Sequence, residues 1–113
     1  MLYKYNMSNA AAEDRIFKAL ASSTRRQLLD ELKSEPRTTG DLVARFPALD
    51  RCTVMQHLGV LEKAGLIVVR REGRERWNHL DAVPIKRIHD RWIGPYATRA
   101  AGLLDRLKRD LEG

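Results

Sequence analysis

Two short stretches of this chain carry side chains suited to touching a nucleic acid. The first lies between Asp50 and Ala64 and holds Arg51, Cys52, Thr53, Gln56 and His57. A guanidinium such as that of Arg51 can grip guanine O6 and N7 as a fork. The Gln56 amide matches adenine, and the Thr53 hydroxyl can meet a base, a thymine methyl or a phosphate. Cys52 is a small residue beside them. His57 stands at the edge of the set with two roles open, a structural hydrogen bond or a phosphate contact. The second stretch, Arg70-Arg71-Glu72-Gly73-Arg74-Glu75-Arg76, crowds arginines around a glycine. Arg71, Arg74 and Arg76 are candidates for phosphate oxygens or the adjoining minor groove. The plainer reading is a solvated hairpin balanced by Glu72 and Glu75.

The chemistry that is missing narrows the class. There is no nucleophile elbow, no phosphate-cradling glycine loop, no close His/Cys pair and no carboxylate pair with a pocket. No catalytic residue, cofactor or turnover is expected. His57, His79 and His89 fall on three different elements without ligand spacing, so no metal site is expected. His89 and Asp90 are adjacent and are expected to face different ways. The one cysteine excludes an intramolecular disulfide. A formal net charge of +6 and a pI near 9.9 favour an anionic partner. The 113 residues, 43% hydrophobic and 32% charged, suit one globular domain. No apolar run approaches the roughly 20 residues of a spanning helix, and no signal-peptide pattern opens the chain. The reading is a cytoplasmic protein without a membrane partner.

The candidate side chains need elements to hold them. Val54, Leu58 and Leu61 recur at i, i+4 and i+7, so one face of a helix from Asp50 to Ala64 is buried. Cys52, Gln56 and Lys63 then point the other way, with Thr53 at the edge. Asp50 is a natural N-cap, and Gly65 suits the positive φ that often follows a helix. Upstream, Thr38-Thr39-Gly40-Asp41 has the form of a capping box before a short helix with Leu42, Val43 and Phe46 inward. Phe46-Pro47 stops it, and a tight turn leads into the Asp50 helix: a helix-turn-helix. Downstream, Leu66 to Arg71 is strand-like, Gly73 can turn, and Arg74 to Leu80 returns as a second strand. The sum is a winged helix, mainly α, with about five helices and a two-stranded wing.

The remaining segments frame it. Residues 1–8 read as a flexible N-terminus, with Met7 an alternative start to Met1. Residues 9–83 read as the winged helix-turn-helix with its N-terminal helices. Ser8 or Asn9 caps the first of these, which runs to about Ala21 with Ile16, Phe17 and Leu20 as its apolar stripe. Ser22-Ser23-Thr24 caps the second, which buries Leu28, Leu29 and Leu32 and ends at Glu35-Pro36. Residues 84–113 read as a C-terminal helix of the same domain. Its apolar series runs Ile85, Ile88, Trp92, Tyr96, Ala100, Leu103, Leu107, Leu111, and Gly94-Pro95 interrupts it with a kink or a break between two nearly aligned helices. Trp77 and Trp92 belong to the core or an interface.

The run Ala19-Leu20-Ala21-Ser22-Ser23-Thr24-Arg25-Arg26-Gln27-Leu28-Leu29 resembles the opening motif of the ArsR-type winged-helix repressors. Val54-Met55-Gln56-His57-Leu58 with Leu61, Ala64-Gly65-Leu66 and Arg70-Arg71-Glu72-Gly73-Arg74 resembles their recognition helix and wing. The resemblance covers about residues 13 to 113 and implies a homodimeric transcriptional regulator, usually a repressor, that binds double-stranded DNA. It also implies dimer contacts through the first and last helices, with Ile16, Leu20, Trp92, Tyr96, Leu103 and Leu107 as candidates, and a small-molecule effector of unknown identity. Metal-sensing members carry Cys-x-Cys just before an Asp-Leu pair. Here those positions are Thr38 and Gly40, so the resemblance is to a branch without that metal site. The competing reading is a winged helix that docks on another protein through its basic face.

Overall fold

The computed structural model describes residues 7–94 and 97–112. Their elements run α1 (Met7–Leu20), α2 (Ser23–Leu32), β1 (Arg37–Thr38), α3 (Thr39–Arg45), α4 (Arg51–Lys63), β2 (Ile67–Glu72), β3 (Glu75–Leu80), α5 (Val83–Trp92) and α6 (Ala97–Glu112). This is the expected winged helix-turn-helix, with a short third strand and a C-terminal helix divided in two.

Local chemistry sets most boundaries. Ser22 caps α2 by accepting from the Arg25 N–H at 3.3 Å, and Thr38 caps α3 by accepting from the Asp41 N–H at 3.0 Å. Asp50 accepts from the Thr53 N–H at 2.7 Å, which satisfies a donor with no partner inside α4. At the other end of α4, Leu66 N–H reaches Leu61 O at 2.9 Å and Gly65 N–H reaches Glu62 O at 3.0 Å. That paired closure needs a left-handed residue, and Gly65 supplies it with φ 78°. Ser8 and Asn9 are not outside α1 but in its first turn. Replacing Asp50 with Ala removes the cap of α4 and should lower the denaturant midpoint at unchanged slope.

Ile16, Ala19, Leu28, Leu29, Leu32, Leu42, Val54, Leu58, Leu61, Leu66 and Ile67 form one buried core. α4 therefore has its apolar stripe locked against α1, α2 and α3, and its polar stripe left outside. In the sheet β3 lies between β1 and β2, antiparallel to both. β1 went unseen in the sequence because two residues have no periodicity. Arg37 and Thr38 pair with Asn78 and Trp77 of β3. They are strand only because the wing's return strand offers them a ladder.

The C-terminal series is interrupted after α5, as the Gly94-Pro95 pair led one to expect. α5 ends at Trp92, Gly94 takes φ 61°, and α6 starts at Ala97. The expected residues 1–6, Pro95 and Tyr96 lie outside the described residues. A correction concerns His89 and Asp90. Their side chains meet, with His89 Nδ1 3.3 Å from Asp90 Oδ1, because Asp90 is also drawn to Lys86 Nζ at 2.7 Å. Among the described residues no group of three His, Cys, Asp or Glu side chains converges. No helix among them is long and apolar enough to cross a membrane.

Candidate nucleic-acid interface

On α4 the stripe opposite the core is solvent-facing: Arg51, Cys52, Gln56 and Lys63 are exposed and Thr53 is half-buried. At about 100° per residue Cys52, Gln56 and Lys63 share the centre of that stripe, while Arg51 falls toward the wing. A polar cavity of about 210 Å³ opens there, lined by Thr38, Thr39, Gly40, Arg51, Arg74, Glu75 and Arg76. The structure thus brings together residues that the sequence placed on three separate elements. Arg51 belongs with the arginines of the wing and stands apart from Gln56.

The wing is built with like charges opposed. In the β2–β3 ladder Arg71 faces Arg76 and Glu72 faces Glu75. Directly opposite like charges destabilise a strand pair. The hairpin tolerates them because Gly73, at φ 63°, makes the two-residue turn and because Arg76 finds Glu62 of α4 at 3.9 Å. An anion bound over Arg71 and Arg76 would relieve the opposition. The wing root is tied to the helix-turn-helix by Asn78, which is 1% exposed. Its amide donates to Arg37 O at 3.2 Å and to Thr39 Oγ1 at 3.1 Å. Nothing in the residue pattern marked Asn78, since an asparagine in a strand reads as a solvent-facing residue.

His57, for which two roles were open, has one nitrogen committed. Its Nδ1 accepts from Arg25 at 3.1 Å. Arg25 Nε donates to Ala19 O at 2.8 Å, and another guanidinium N–H donates to Lys18 O at 3.0 Å. Arg26 caps Leu20 O at 2.6 Å. The two arginines thus bond the last carbonyls of α1, of which Lys18 O also accepts from the Ala21 N–H at 3.2 Å, and add charge where the helix dipole favours cations. The sequence signal for this is two arginines just beyond a helix break. Burial, and after it the Arg25 charge, holds the His57 imidazolium below its ordinary value of 6.5. The unfolded chain protonates near that value and the folded chain only at lower pH. Stability is therefore undiminished above about pH 6.5 and declines as the pH falls below it. Between about pH 7.5 and 5.5 the melting temperature should fall more steeply for the parent than for His57→Gln, which keeps an acceptor and loses the titration.

The candidate dimer residues are distributed unevenly. Ile16 is 8% exposed and packs in the protomer's own core, and Leu20 is half-buried. Phe17, not singled out as a contact from the sequence, is 43% exposed. Its ring centroid lies 6.3 Å from that of Trp92, which is 63% exposed. Arg91 stacks on Trp92 at 4.9 Å and bonds Glu13 of α1 at 2.7 Å, so α1 and α5 are joined at this edge. Leu103, Leu104 and Leu107 of α6 are also exposed.

Comparison with known proteins places this geometry. A family profile described as "Helix-turn-helix domain" matches residues 20–70. The chain is 37% identical over 87 residues to the uncharacterized HTH-type transcriptional regulator YuzN of Bacillus subtilis (strain 168), covering 72% of this chain and 95% of that one. It is 34% identical over 102 residues to the HTH-type transcriptional regulator Rv2034 of Mycobacterium tuberculosis (strain ATCC 25618 / H37Rv), covering 88% and 94% respectively. Among solved structures, the ArsR family transcriptional regulator RHA00566 is similar with a TM-score of 0.67 at 26% identity, over 85% of this chain and 93% of that one.

Proposed function

This chain belongs to the ArsR-type winged helix-turn-helix transcriptional regulators, and from that premise we propose that it is a dimeric repressor reading an inverted repeat in double-stranded DNA. In this reading α4 enters the major groove. Gln56 bonds a base edge, with Cys52 and Thr53 beside it, and His57 lends its remaining nitrogen to the backbone. Arg51, Arg74 and Arg76 close on one phosphate strand, and Arg71 reaches the flank. The observation that carries the reading is the exposed polar stripe of α4 beside an arginine-lined cavity.

Two-fold symmetry would set two α4 helices about one turn of DNA apart. The exposed apolar side chains of Phe17, Trp92, Leu103 and Leu107 support a second copy as their cover, since isolated soluble chains rarely leave such patches bare. Leu20 and Tyr96 complete the proposed contact, and repression in the cytoplasm follows from occupying a promoter. An effector that weakens DNA binding belongs to the same reading.

The test is fluorescence anisotropy with DNA from upstream of its own gene against a scrambled duplex. Preferential, salt-dependent binding is expected. Gln56→Ala should cost about 1–3 kcal/mol on the preferred site and relax selection at one position. Equal affinity for both duplexes would favour instead the protein-docking role of the basic face.

A further inference from the structure

On the flank of α4 turned toward α1, Val60 and Ala64 have no part in the reading above. There Val60 is 39% exposed, and with half-buried Ala64 it floors an open cleft of about 200 Å³. The rim is cationic: Arg15 and Lys18 from α1 and Lys63 from the last turn of α4. Arg37, Arg45, Arg76 and Arg91 have carboxylate partners. Among the described residues the side chains of Arg15, Lys18 and Lys63 make no ion pair and no hydrogen bond. No carboxylate lines the cleft.

The two features ask for different things from one occupant. An apolar floor gains when water is removed from it, roughly in proportion to the area covered. Three uncompensated cations gain from a negative charge held between them. A phosphodiester satisfies the rim and leaves the floor wet, and a hydrocarbon satisfies the floor and leaves the rim unpaired. We propose that this cleft binds a small organic carboxylate with a compact apolar body. The cleft is smaller than the roughly 300–1,000 Å³ of drug-sized sites, which points to an aryl or short-chain acid. Its carboxylate sits against Lys63, on the stripe that carries Gln56, and so adds negative charge beside the groove-facing side of α4. Ligand and DNA then oppose one another, each weakening the other by the same factor. This coupling rests on the DNA-reading role of α4; the site itself does not.

The probe is sodium benzoate, with benzyl alcohol as its neutral counterpart and inorganic phosphate as a bare anion. In DNA-free protein, benzoate should shift the amide resonances around Val60 and Ala64 saturably, and the other two should not. The variant Arg15→Gln/Lys18→Gln/Lys63→Gln should bind benzoate at least about tenfold more weakly, and because the three side chains are exposed and unpaired it should keep the parental fold. With operator DNA, saturating benzoate should weaken parental binding by about tenfold and leave the variant's affinity unmoved. No saturable shifts, equal response to benzyl alcohol, equal response to phosphate, or parental benzoate affinity in the variant would each overturn the site. A variant whose salt slope on DNA drops while benzoate binds neither protein would overturn it too, and would assign the three cations to phosphates. Saturable benzoate shifts in a protein that binds no DNA would keep the site and refute the reading role of α4.

Discussion

Replacing Arg25 with Ala should lower folding stability by about 3 kcal/mol, the largest loss expected from any single exposed or half-buried side chain here. The guanidinium donates to Lys18 O, Ala19 O and His57 Nδ1, at 3.0, 2.8 and 3.1 Å. A net bond to a charged group is worth about 1.5–3 kcal/mol, and the three are not additive because one side chain makes them all. Removing it takes the partner from Ala19 O and from one imidazole nitrogen, while Lys18 O keeps the Ala21 N–H at 3.2 Å. Arg25→Lys should recover only part of the loss, since an ammonium cannot span three acceptors in a fixed fork. Denaturant unfolding of the parent and both variants measures it. An Arg25→Ala protein within 0.5 kcal/mol of the parent, a margin of about the scatter for neutral surface changes, would show the cluster to be ornamental. The consequence reaches DNA as well: Arg25 links α1, α2 and α4, so its loss loosens the element that presents Gln56.

The second large effect concerns affinity. Neutralising Arg51, Arg74 and Arg76 together as Arg→Gln should cut the slope of log K against log salt by about 2.7, at about 0.9 for each phosphate lost. Affinity should fall alike on preferred and scrambled duplexes, because phosphate contacts position the protein without reading sequence. That separates the cavity from Gln56, whose loss should change preference with little change in slope. The three residues are chosen together because they line one cavity with Thr38 and Thr39, although Arg51 comes from α4 and the others from the wing. An unchanged salt slope would mean that the cavity contacts no backbone. A loss of preference confined to the specific duplex would instead assign Arg51 to a guanine.

Much of this protein is legible before folding, and the reasons are local. Asp50, Thr38 and Ser22 could be read as caps because an N-cap bond closes over three residues. Gly65 and Gly73 could be read as turns because each backbone position needs a φ that only glycine adopts without strain. The stripe Val54, Leu58, Leu61 revealed both faces of α4, since helical period follows from the backbone alone. Those signals were enough for a winged helix and for the solvent-facing stripe of α4.

Tertiary packing decided the rest. Two residues of β1 become strand only when β3 lies beside them. Ile16 and Phe17 look equally apolar in the sequence, yet one is buried in the core and the other is bare beside Trp92, because the angle at which α1 meets α4 and α5 selects between neighbours about 100° apart on a helix. His57 waited on a guanidinium 32 positions away in the chain. Arg51 waited on the wing. Spacing along a chain reports which side chains share a face, but not which faces meet: that depends on how the whole core closes, and the core here is drawn from α1 through β2 at once.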